Sequence, residues 1–162
     1  MQCMDNYIKL FKSFFYAFRG IFSTINTERN MRIHLTCVVY MLGFLLLGDF
    51  FVLTKWDWCA LLLACALVLS GEVVNTAIEN VVDMYTSEYN EYAKKAKDAA
   101  SGAVLINAIF AVVIGLVVLL QPDAFKAMYT YFSGNLAMLA VLVLSIIPAT
   151  LFIFFGFPVK RK

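Results

Sequence analysis

Residues 71–83 read GEVVNTAIENVVD. They continue the apolar run Leu67, Val68 and Leu69, yet they carry Glu72, Asn75, Glu79 and Asp83. On a helix advancing about 100° per residue, Glu72, Thr76, Glu79 and Asp83 fall in one narrow stripe, with Asn75 at its edge. The other faces carry Val73, Val74, Ala77, Ile78, Val81 and Val82. A charge facing lipid costs several kcal/mol, so this stripe must face protein, water or cations.

The surrounding chain explains why lipid is the relevant solvent. It has 162 residues, 62% of them hydrophobic, which excludes a disordered chain and predicts an integral membrane protein. Four segments, 33–53, 58–82, 99–120 and 136–157, approach or exceed the roughly 20 apolar residues needed to span a bilayer as helix. The long apolar runs lack the alternation of a membrane barrel. In the first 30 residues, Lys9, Lys12 and Arg19 interrupt the apolar positions, and no signal-peptide pattern emerges. The expected architecture is an all-α membrane protein with an N-terminal surface helix, three core transmembrane helices and a fourth C-terminal one. Residues 1–125 would form the core, and 126–162 an extension with a basic tail.

Charge sets an expected orientation. With a cytoplasmic N-terminus and four spans, 11 Lys and Arg lie inside, including Lys160, Arg161 and Lys162, and only Lys55 and Lys126 lie outside. Cys3, Cys37, Cys59 and Cys65 show no metal-like spacing and read as small apolar residues. The basic residues are spread along a membrane edge, which gives no support to nucleic-acid binding.

Residues 5–25 predict an amphipathic helix lying in the interface plane. Tyr7, Phe11, Phe14, Phe15, Phe18 and Phe22 form its apolar face, with Lys9, Lys12, Tyr16 and Arg19 opposite. Tyr16, flanked by cations, can serve the anchor or stack a nucleotide base. Asn26 or Thr27 is the expected N-cap of the first span, with Glu28 in its first turn. His34, the only histidine, reads as an interfacial or hydrogen-bonded residue. The stretches 48–58 and 121–135 read as short outer loops, the second ended by a helix start at 133–135. Residues 85–101 are dense in Glu, Lys, Asp, Tyr and Asn and directly follow the acidic stripe.

Lys94, Lys97, Asp98 and Ser101 share one face of the helix leading into the third span. Opposed acidic and basic stripes can be ion pairs that lock two helices together, but buried pairs stabilise weakly and three acids exceed that need. Phosphoryl transfer accounts for them better. It requires carboxylates for a divalent metal, a cation for the transferred group and a base beside the acceptor hydroxyl. Hard oxygen ligands suit Mg²⁺. Glu28 and Glu79 supply the metal site, Lys97 the phosphate contact and Glu72 the base. Glu72 lies about two turns deeper than Glu79, so the acceptor hydroxyl belongs to a lipid.

The motifs ExxNTAIExVVD, SEY and AKDxxSGAVL, with upstream ERNMRIHL and FYAFRG, closely resemble the prokaryotic diacylglycerol kinase family, which includes undecaprenol kinases. The resemblance covers roughly residues 7–121. It implies homotrimers with active sites shared between subunits, and transfer of the γ-phosphate of ATP, as its Mg²⁺ complex, to a lipid alcohol without a P-loop. It implies Glu72 as catalytic base and Glu28 and Glu79 as metal ligands. Lys9, Tyr16, Glu28, Asn75, Glu79, Asp83, Glu88, Lys97 and Asp98 would surround the nucleotide, and Arg32, Glu72 and Ser101 the lipid. Two departures stand out: Asn90 occupies a position where some members have His, and typical members end soon after the third span.

ERNMRIHL and NTAIENVVD resemble the Gram-positive branch, which implies undecaprenol as acceptor; diacylglycerol is the alternative. The resemblance also implies a multi-pass protein of the bacterial cell membrane with its site on the cytoplasmic side. A channel or transporter subunit is the reading from another class. It predicts polar stripes through the full membrane depth, whereas the charges stop at Glu72 and no inverted repeat is visible.

Overall fold

The computed structural model describes residues 2–157, so the basic tail at 160–162 lies outside the described residues. The described chain is all-helical: α1 (Gln2–Thr27), α2 (Arg29–Leu47), α3 (Lys55–Tyr85), α4 (Glu91–Leu119), α5 (Pro122–Gly134) and α6 (Leu136–Phe155). Three of these, α3, α4 and α6, are long and apolar enough to cross a membrane. Their outward surfaces are apolar and exposed, with Val117 at 80% and Phe155 at 78%, which suits lipid rather than water as solvent.

The α3–α4 pair is the structural centre. The buried residues of α3 are Leu61, Ala64, Val68, Glu72, Asn75 and Thr76, one face at three- and four-residue steps. The helix face that is apolar at 61–68 therefore becomes polar at 72–76 without leaving the interface. Gly71 makes the close approach possible: a Cβ there would meet Asn107 Nδ2 at 3.0 Å. Asn107 Nδ2 in turn donates to the Leu67 carbonyl at 3.1 Å. Helices of 31 and 29 residues measure about 46 and 43 Å. Both exceed the roughly 30 Å hydrocarbon core, so their adjoining charged ends project beyond it.

Three predicted boundaries change. The first span, expected over 33–53, ends as helix at Leu47, where Gly48 and Asp49 (φ 44°) turn the chain. Its apolar stretch then covers only 35–47, about 20 Å, because Arg29, Arg32 and His34 occupy its first turns. Residues 48–54 are not helical and are tied by Gln121, whose side chain accepts from Val52 N and donates to Val52 O, both at 3.1 Å. The junction before α2 is not capped by Asn26 or Thr27. Glu28 is the N-cap without a side-chain bond, and Thr27 Oγ1 donates back to Ser23 O inside α1.

The third change concerns 121–135, expected to be a loop. Pro122 begins the 13-residue helix α5, where its missing N–H and preset φ favour a first turn. The expected helix start holds, since Asn135 Oδ1 accepts from Met138 N at 3.2 Å. Helices α5 and α6 fold back along α2 and border an open apolar groove of about 750 Å³ lined by residues including Val39, Phe44, Phe132 and Leu142. Tyr40 Oη and Ser145 Oγ share a hydrogen bond of 2.8 Å within it. Cys37, Cys59 and Cys65 are free thiols.

Candidate active site

Arg32 fixes the junction on which the site rests. It is buried, at 6% exposure, and its guanidinium donates to three backbone carbonyls. Two belong to the end of α1, Ile25 at 3.1 Å and Asn26 at 3.0 Å, and one to the last turn of α6, Ile153 at 2.9 Å. Helix ends leave these carbonyls without intrahelical partners, and a cation there also meets the negative end of each helix. Gly156 has φ of +65°, and a Cβ there would lie 3.3 Å from Arg32 Nη1. Arg32, expected on the lipid side, is thus committed to holding α1, α2 and α6 together.

Behind this junction lies Glu72, 2% exposed on the α3 face that packs against its neighbours. Its Oε1 is buried and makes no hydrogen bond of good geometry. The nearest oppositely chargeable group is His34 Nε2 on α2, at 3.4 Å. That is an ion-pair distance, longer than a formed N–H to oxygen bond. The stripe inferred from the sequence faces protein at Glu72 and Thr76 and becomes exposed by Asp83.

One turn further along α3, Asn75 Nδ2 donates to Glu79 Oε1 at 2.9 Å. Ser101 Oγ from α4 donates to Asn75 Oδ1 at 3.4 Å. Thr76 Oγ1 donates to the Glu72 carbonyl at 2.9 Å and so spends its hydroxyl inside the helix. Glu28 and Glu79 are half-buried, and neither pairs with a cation among the described residues. No group of three or more His, Cys, Asp and Glu gathers around one point there. Two carboxylates are the kind of donor that Mg²⁺ takes when substrate phosphates complete its shell, and Glu28 and Glu79 are carboxylates left free of cations here.

Beyond Glu79 the helices open into a cleft of about 570 Å³ at the α3–α4 turn. Four expected nucleotide residues, Asp83, Glu88, Lys97 and Asp98, line it together with Lys94. Lys97 Nζ donates to Asp83 Oδ1 across the cleft. Local chemistry shapes the rim. Asn90 caps α4 by accepting from Tyr92 N at 2.9 Å and Ala93 N at 3.1 Å, and Thr86 Oγ1 accepts from Glu88 N at 3.1 Å. The departure from His at position 90 has a structural use: Asn is among the best helix N-caps.

Lys9 and Tyr16 stand apart. Both lie exposed on α1, and neither makes a hydrogen bond or ion pair among the described residues. The apolar face of α1 is equally unpartnered, with Phe11 at 74% and Phe15 at 65% exposure, as an interfacial helix requires. Sequence reasoning missed the position of His34 against Glu72. The two are 38 residues apart, and a single histidine offers no spacing pattern by which to find its partner.

Residues 15–119 match the family profile of prokaryotic diacylglycerol kinase. The undecaprenol kinase of Bacillus subtilis is 41% identical over 114 residues, 69% of this chain and 89% of that protein. A diacylglycerol kinase from Synechocystis is 43% identical over 115 residues, 70% of this chain and 63% of that protein. One from Helicobacter pylori is 35% identical over 102 residues, 63% of this chain and 77% of that protein. Helices α5 and α6 lie outside the matched region. The profile spans most of the chain, and the Bacillus protein is similar along 89% of its own length: the chain belongs to the prokaryotic diacylglycerol kinase family and is an ATP-dependent membrane lipid kinase.

Proposed function

We propose that the chain transfers the γ-phosphate of ATP to the hydroxyl of undecaprenol, giving undecaprenyl phosphate, at the cytoplasmic face of a bacterial cell membrane. The observation that carries this reading is the run of polar groups along α3. It begins at buried Glu72 and ends, about 16 Å along the helix, at Asp83 on the cleft. A water-soluble donor and a membrane-bound acceptor need such a path. The likeness to an undecaprenol kinase along 89% of that protein's length favours that acceptor. The Synechocystis likeness supports diacylglycerol as the second reading.

In this mechanism Lys97, Asp83, Glu88, Asp98 and Asn75 hold the nucleotide, with Lys97 exchanging Asp83 for a phosphate oxygen. Glu28 and Glu79 hold Mg²⁺, which neutralises charge on the phosphates when bound. Glu72 accepts the proton of the lipid hydroxyl as its oxygen attacks the γ-phosphorus in line. Ser101 borders the acceptor, and Arg32 serves it by fixing the helix junction behind Glu72. Lys9 and Tyr16 complete the nucleotide site from a neighbouring subunit of a homotrimer, which accounts for their separation from the cleft within one chain.

The deciding experiment offers purified protein labelled ATP and Mg²⁺ in mixed micelles containing undecaprenol or diacylglycerol. The expected result is a kcat/KM at least about tenfold higher for undecaprenol, a difference of ~1.4 kcal/mol in transition-state binding. The reverse preference assigns the diacylglycerol reaction, and no transfer to any lipid alcohol ends the proposal. A second prediction concerns the metal. Glu79→Gln should raise the Mg²⁺ concentration for half-maximal rate by about tenfold or more, the scale of losing support at a metal site. An unchanged Mg²⁺ titration would remove Glu79 from that role.

A further inference from the structure

Phosphorylation of an alcohol by ATP releases a proton, and the base that receives it must be cleared before the next turnover. Glu72 is poorly placed to do this alone. Its side chain is 3% exposed, and the apolar residues Leu61, Ala64 and Val68 lie below it on the same face. Glu28 and Glu79 cannot serve as exits in the proposed mechanism, since both are engaged with metal. Among the described residues His34 combines proximity with partial exposure: Nε2 lies 3.4 Å from Glu72 Oε1, and the side chain, in the second turn of α2, is 25% exposed. The Glu72 oxygen on that side has no other partner.

From this geometry we infer that His34 is a positioning residue that holds Glu72 in register and carries its proton out to the membrane surface. The inference rests on the lipid kinase reading with Glu72 as base. The lipid O–H bond breaks to Glu72 as the new O–P bond forms and the bond from the γ-phosphorus to ADP breaks. The carboxyl O–H then transfers its proton to unprotonated Nε2, giving an imidazolium. That imidazolium loses its Nδ1 proton to water, and exchange of tautomers through water restores Nε2 as acceptor. The sum is lipid alcohol and ATP going to lipid phosphate, ADP and one proton, with no change of oxidation state. The distance of 3.4 Å suits a contact that shortens once substrate is bound.

The test compares the wild-type protein with His34→Gln and His34→Ala in mixed micelles, with and without added imidazole. Gln keeps the size and a donor toward Glu72 but cannot carry a proton. Its kcat should fall roughly 10²-fold, the lower end of what a positioned proton-transfer group contributes, with KM for ATP and lipid nearly unchanged. Imidazole should restore a substantial part of the rate to His34→Ala, whose side-chain space is open, and little to His34→Gln. A thermal transition measured on each variant reports folding separately, and either folded variant decides. A folded His34→Gln with kcat within about twofold of wild type overturns the relay, as does a folded, inactive His34→Ala that imidazole leaves unchanged. If the wild type itself phosphorylates no lipid alcohol, the underlying kinase assignment to this site fails instead.

Discussion

Replacing Glu72 with Gln is expected to lower kcat by roughly 10²- to 10⁴-fold while MgATP affinity stays within about threefold of wild type. The substitution preserves volume in a position only 2% exposed, so packing against the α4 face changes little. What it removes is basicity. In the proposed site the nucleotide residues begin at Asn75 and extend toward Asp83 and Lys97, so binding and proton acceptance would be separated along the helix. The measurement is a pair: phosphoryl transfer in mixed micelles, and MgATP binding by calorimetry on the same preparation. Joint loss of binding and turnover would make Glu72 a ligand rather than a base. Retained turnover would move the base elsewhere in the site.

The polar stripe along α3 is the part of the molecule most legible in the sequence. Two independent constraints agree there: the 3.6-residue period sorts the acids onto one face, and the cost of charge in lipid forces that face inward. Leu61, Ala64 and Val68 continue the same stripe, so one periodicity describes both the apolar interface and the polar site. The cleft was legible for a related reason. Asp83 lies in the last turn of α3 and Lys97 in the second turn of α4, and a short turn between antiparallel helices brings such residues together.

What sequence reading lost were features decided by single residues or by distant partners. Residues 121–135 read as a loop, although Pro equally begins a helix, and the 13 residues of α5, Pro122 included, are too few and mixed to show a clear period. Phe50, Phe51, Val52 and Leu53 look like a continuing span, but Gly48 and the positive φ of Asp49 stop the helix before them. Arg32 and His34 sit two positions apart at the same membrane edge. Nothing in their spacing says that one reaches α6 at residue 153 and the other α3 at residue 72. Both assignments depend on tertiary contacts that local patterns do not encode.

Arg32 yields the second large effect, on stability. Each hydrogen bond from a charged donor contributes about 1.5–3 kcal/mol, and Arg32 makes three, to Ile25, Asn26 and Ile153. Some of those carbonyls regain water at the membrane edge when the donor is lost, so Arg32→Ala should cost about 3–5 kcal/mol rather than the full sum. For a chain of this size that corresponds to a Tm lower by about 10 °C in detergent. Arg32→Lys should recover only part of the loss, because an ammonium cannot fork between carbonyls on two helices. Truncation after Asp123 removes α6 and with it the Ile153 bond, leaving a core that should retain lipid kinase activity. In that shortened chain Arg32→Ala should cost less than in the full chain, and the difference isolates what Arg32 contributes to docking α6. Equal losses in both chains would show that the extension is not held through Arg32. An unchanged Tm with a raised lipid KM would instead make Arg32 a direct contact to the acceptor, free of the helix junction that its three carbonyl bonds define.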